Sequence, residues 1–149
     1  AIAAAGGIEV LVSLARDGNE RQKENAAGAL WSLAINDDNS VAIAAAGGIE
    51  VLVSLARDGN EGQKEEAAGA LWNLAYNDDN RVAIAAAGGI EVLVSLARDG
   101  SEAQKEEAAG TLWNLSANHD NVAAIAAAGG IEVLVSLARD GSEAQKEEA

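Results

Sequence analysis

Apolar and small residues return along this chain with a fixed beat. Ile8, Ile49, Ile90 and Ile131 each follow a Gly-Gly pair at a constant spacing of 41 residues, and Trp31, Trp72 and Trp113 keep the same spacing. Residues 2–42 and 43–83 differ at five of 41 positions: Arg21/Gly62, Asn25/Glu66, Ser32/Asn73, Ile35/Tyr76 and Ser40/Arg81. The following block, 84–124, differs from 43–83 at eight. A fixed period of about 20–50 residues marks an array of stacked units, none of which buries its apolar face alone. The units fall at about 1–35, 36–76, 77–117 and 118–149, the terminal ones truncated. Such near-identity implies recent duplication or deliberate engineering.

Each unit reads as three helices. Asn36-Asp37-Asp38-Asn39 offers N-capping oxygens, and residues 41–46 form a short, alanine-rich first helix. Gly47-Gly48 ends it and permits a sharp bend through positive φ. A second helix is expected from Ile49 to about Arg57, because Ile49, Leu52, Val53 and Ala56 share one helical face. By local propensity alone, residues 49–53 also suit a strand. The third helix starts at Asn60, or at Ser101 in the next unit, where Gln104 completes a capping box, and runs to about Tyr76. Neither end of the chain carries a distinctive polar cap, since Ile2, Ile8 and Leu11 repeat the interior pattern, so the ends are expected to expose stacking surface and favour self-association.

Composition narrows the function classes. With 24 acidic and 10 basic residues the formal charge is −14, which repels a phosphate backbone and leaves no basic cluster to offset it. The chain has no cysteine, hence no disulfide, thiol nucleophile or thiolate zinc site. No stretch is apolar for the ~20 residues of a membrane span. The most apolar stretch, residues 1–15, also lacks the basic start of a signal peptide. The expectation is a soluble, intracellular protein without cofactor, nucleic acid or membrane partner.

The segment Glu66-Ala67-Ala68-Gly69-Ala70-Leu71-Trp72-Asn73-Leu74-Ala75, followed by Asn80-Arg81-Val82-Ala83-Ile84-Ala85-Ala86-Ala87-Gly88-Gly89-Ile90, resembles an armadillo repeat, and the likeness runs across essentially the whole chain. It is closer to β-catenin-like or plant repeats than to importin-α. Importin-type repeats often place proline after the glycine turn, where this chain has Glu9, Glu50, Glu91 and Glu132. They also carry tryptophan four residues before the ligand-binding asparagine, where it has Gly28, Gly69 and Gly110. The resemblance implies an all-α, right-handed α-solenoid, the armadillo superhelix, whose third helices line a concave groove for an extended peptide. It further implies an asparagine ladder gripping the peptide backbone, at Asn73 and Asn114 with Ser32 departing. Acidic residues that read Lys or Arg are implied at Glu66 and Glu107, with Asn25 departing.

The residues themselves support a face of that kind. At about 100° per residue, Gly62, Glu66, Gly69, Asn73 and Tyr76 share one stripe of the third helix, with Ala67, Ala70, Leu71 and Leu74 opposite. An asparagine amide supplies both donor and acceptor, as pairing with a peptide unit requires. The alternatives are that Asn73 and Asn114 are solvated or bond to the adjacent unit. Helices about 8–10 Å apart and an extended chain advancing ~3.3–3.6 Å per residue give two to three ligand residues per unit. Trp31, Trp72 and Trp113 either pack between units or cover Lys/Arg stems. The repeated glycine at 28, 69 and 110 costs about 1 kcal/mol in a helix. It serves a tryptophan ring, a groove floor, or both.

Catalysis finds little support. His119 is the lone histidine and stands where other units have Asp37 and Asp78, and Asp17-Gly18-Asn19-Glu20 lacks the alternating oxygens of a calcium loop. Two readings remain: a module binding an extended, basic peptide, or a duplicated or engineered scaffold with no evolved ligand that self-associates through its ends.

Overall fold

The computed structural model describes residues 6–140, and the side chains of residues 6–139. The segments 1–5 and 141–149, into which the expected first helix of the opening unit and the last third helix fall, lie outside the described residues. Ten helices and no strand are present among the described residues: α1 (Gly7–Asp17), α2 (Glu20–Leu33), α3 (Asp37–Ala45), α4 (Gly48–Asp58), α5 (Glu61–Leu74), α6 (Asp78–Ala86), α7 (Gly89–Asp99), α8 (Glu102–Leu115), α9 (His119–Ala127) and α10 (Gly130–Asp140). The strand alternative for 49–53 is thereby settled in favour of helix α4.

Three local rules repeat in every unit. The short helices α3, α6 and α9 start four residues earlier than the alanine run, because Asn36, Asn77 and Asn118 cap them by accepting from the backbone N–H three residues on. Gly47, Gly88 and Gly129 then take φ of 82°, 83° and 82°, and the chain turns by 82–83° into the second helix. The glycine that follows is needed for close approach: a Cβ on Gly48 would lie 2.5 Å from Ile43 Cγ2. The third helices α2, α5 and α8 open on full capping boxes at Asn19, Asn60 and Ser101. They end at Leu33, Leu74 and Leu115, two residues short of the expected boundary, because the chain must be extended at the next asparagine cap.

Each second helix packs on its own third helix, and α2, α5 and α8 stack side by side, as do α1, α4, α7 and α10. The result is one continuous core along the right-handed α-solenoid, filled by Ile43, Leu52, Leu71, Leu74, Ile84, Leu93, Leu112 and Leu115. Buried polar side chains tie the units together. Gln63, 2% exposed, accepts from Asn60 N–H and donates to the Glu20 carbonyl at 2.9 Å, while Gln104 bridges Ser101 and Glu61 in the same way. Ser40 Oγ, Asn80 Nδ2 and Asn121 Nδ2 donate to the carbonyls of Ala34, Leu74 and Leu115, satisfying acceptors freed at the third-helix ends.

Candidate groove along the third helices

The stack of α2, α5 and α8 brings the expected site residues into register. Asn73 Nδ2 donates to the Trp31 carbonyl at 3.0 Å, and Asn114 Nδ2 to the Trp72 carbonyl at 3.2 Å. These two bonds hold adjacent units together. They leave Oδ1 and one N–H of each amide without a partner among the described residues. Ser32, the departing rung, is exposed and makes no such bond among the described residues.

The tryptophans interlock between units. A Cβ on Gly69 would sit 2.4 Å from the Trp31 ring, and one on Gly110 would sit 2.5 Å from the Trp72 ring. Each glycine is thus a seat for the ring of the preceding unit rather than of its own. Trp31 and Trp72 are half-buried in this way, and Trp113, which meets no following glycine among the described residues, is 59% exposed. Trp72, Tyr76, Gly110, Trp113 and Asn114 line a recess of about 240 Å³. One wall of this recess is aromatic and the other is amide, which suits a long side chain carrying a polar tip.

Acidic groups stand on the same stripe. Glu66 reaches back to α2, its Oε2 within 3.0 Å of where a Cβ on Gly28 would be. Burial, then the neighbouring Glu65 and Glu24, raises its carboxyl above the ordinary range. Glu107 is 7% exposed, its Oε1 is buried without a hydrogen-bond partner, and burial followed by Glu65, Glu66 and Glu106 pushes its carboxyl up to about 8. Burial therefore works against the negative charge expected from the sequence at this position. No lysine or arginine forms an ion pair with either residue among the described residues; Arg81 bridges to Asp78 instead. Arg81 is occupied there, also donating to the Ala75 and Tyr76 carbonyls.

Sequence reasoning singled out Glu66 and Glu107 but passed over Glu24, Glu65 and Glu106, which shape their environment. The repeated Lys-Glu-Glu at 64–66 and 105–107 carried that signal for Glu65 and Glu106, while Glu24 stands in Lys-Glu-Asn at 23–25. It equally passed over the buried Gln63 and Asn80, whose polar type reads as surface until the neighbouring helix is in place.

The Armadillo/beta-catenin-like repeat model matches residues 1–35, 36–76 and 77–117. The chain belongs to the armadillo repeat family. No curated protein matches its sequence significantly. Among solved structures, an engineered protein of the Northeast Structural Genomics Consortium is 39% identical with a TM-score of 0.94, over 99% of this chain and 61% of its own. A designed armadillo repeat protein in complex with the peptide (KR)4 is 30% identical at a TM-score of 0.93, over 99% and 63%. Computationally designed armadillo repeat proteins for modular peptide recognition are 30% identical at 0.91, over 97% and 62%. The armadillo chain described here thus spans less than two thirds of these neighbours.

Proposed function

We propose that this armadillo array binds an extended, basic protein segment along α2, α5 and α8. One observation carries the reading. Asn73 and Asn114 are held in one orientation by the Trp31 and Trp72 carbonyls, yet each keeps an acceptor and a donor without a partner among the described residues, on the same helices as Glu66 and Glu107, which form no ion pair there. An amide fixed before binding loses less side-chain entropy when a peptide unit meets it. Trp31, Trp72, Trp113 and Tyr76 would cover the aliphatic stems of lysine or arginine, and Glu66 and Glu107 would meet the charged tips. The neighbour bound to (KR)4 supports the same ligand chemistry.

Tryptophan fluorescence on titration with a Lys/Arg repeat peptide at low salt tests it. Saturable change is expected, weakening steeply as salt rises. The Asn73→Ala, Asn114→Ala double variant should bind roughly tenfold more weakly, from two bonds of ~0.5–1.5 kcal/mol each. Unchanged fluorescence at every peptide concentration would remove the proposal.

A second reading, self-association, is favoured by the apolar recess of about 370 Å³ between α8, α9 and α10, where Ile131 and Val135 are about half exposed. Light scattering across a concentration series reads it directly, a constant monomer mass counting against it.

A further inference from the structure

The basic-segment reading leaves one oddity in the groove. Among the described residues, Glu107 is buried between stacked third helices, its Oε1 has no partner, and the charged groups that act on it are acidic: Glu65 and Glu66 from α5, and Glu106 from its own helix. Among the described residues, α7 and α9, which also pack on α8, add no charged group to those that act on Glu107. A lone buried anion among like charges is strongly disfavoured, and the two ways out are a bound proton or an arriving cation. The burial of Glu107 and its pKa of about 8 select the proton for the empty groove.

We infer that ligand binding and proton release are coupled at Glu107: the carboxyl is protonated in the empty groove, and it gives its proton to solvent when a guanidinium or ammonium group settles beside it. This rests on the proposed binding of basic segments and adds a regulation to it. The exchange balances, one proton leaving to the buffer as one fixed cation arrives. Because the cation pairs with the ionised form, affinity is set by the fraction ionised. With a midpoint near 8, about one molecule in ten is ionised at pH 7, so the dissociation constant should fall about tenfold between pH 7 and pH 9. Such a groove holds a basic segment weakly in mildly acidic surroundings and tightly in alkaline ones, whereas an array of exposed glutamates would be insensitive across that range.

Isothermal titration calorimetry with an N-acetylated, arginine-only peptide keeps the ligand charge constant across the range. Runs in buffers of different ionisation enthalpy count the protons. Close to one proton should be released per peptide at pH 7, falling toward zero at pH 9.5, and Glu107→Gln should abolish both the release and the pH dependence. If that variant does not fold, carboxyl-carbon NMR of the wild-type protein serves instead: the Glu107 resonance should titrate near pH 8 when free and stay ionised at pH 7 when peptide is bound. Binding without proton release, and with a flat pH profile, would overturn the coupling while leaving the peptide reading intact. Release that persists in Glu107→Gln would also overturn it. Absence of any binding from pH 6 to 9.5 at low salt would remove the peptide reading and this inference together.

Discussion

Helices α1, α4, α7 and α10 share one sequence, Gly-Ile-Glu-Val-Leu-Val-Ser-Leu-Ala-Arg-Asp, yet they live in different surroundings. In α4 and α7 everything apolar is buried: Ile49, Val51, Leu52, Val53, Leu55 and Ala56 in the first, and their equivalents in the second. In α1 the side bearing Ile8 and Val12 is buried while Val10 is 59% exposed. In α10 the pattern inverts, with Val133 and Leu137 buried while Ile131 and Val135 are 49% and 50% exposed. One amino-acid string therefore carries two opposed apolar faces, one for the unit before and one for the unit after. Burial at a given position is a property of the array, with stability arising from each interface as it forms.

That contrast can be broken most sharply with isoleucine. Ile90→Ala, at 3% exposure, should cost about 2–5 kcal/mol, whereas the same change at Ile131 should cost less than about 1 kcal/mol. Denaturant unfolding, with hydrogen exchange to localise the loss, reads both. The charge environment follows the same logic. Glu107, deep between α5 and α8, has a folded-state pKa raised well above that of an ordinary carboxyl. Its folded form then binds more protons than its unfolded form between about pH 4.5 and 8. The stability this one group contributes is therefore fully present below about pH 4.5 and lost progressively up to about pH 8, by an amount on the order of several kcal/mol. Glu107→Gln should flatten this decline, which urea unfolding at pH 5 and pH 8.5 measures.

Smaller effects sharpen the comparison. Gly69→Ala drives a methyl into the Trp31 ring and should cost about 1–3 kcal/mol by overpacking. Gly28→Ala meets only the flexible end of Glu66 and should be neutral or gain up to about 1 kcal/mol from helix propensity; thermal unfolding of the pair decides. Asn73→Ala should lose about 0.5–1.5 kcal/mol with the bond to the Trp31 carbonyl. Ser32→Ala, which removes no such bond, should change melting by no more than the error.

Periodicity and caps made the architecture legible from the residues: the Gly-Gly bend, the Asn and Ser capping boxes and the core leucines are all local signals. What escaped was whatever needs a neighbouring unit to be seen. The face of Ile49, Leu52, Val53 and Ala56 was visible, but Val51 and Leu55 look like the solvent side of an isolated helix and are buried in the stack, where α4 packs on α1 as well as on α5. Gly69 was conspicuous as a costly helix residue, although its partner, Trp31, lies 38 residues back. The candidate ladder was legible as residue types; that one N–H of each asparagine is already engaged, and that burial raises the Glu107 carboxyl, emerge only from the stack.

The ring of one unit and the glycine seat of the next form a plug and socket on opposite sides of every block. A block carrying both can be duplicated, deleted or swapped without altering its flanks, so the array can lengthen by gene duplication while its joints stay compatible. The near-identical sequences at 2–42 and 43–83 carry such interchangeable joints.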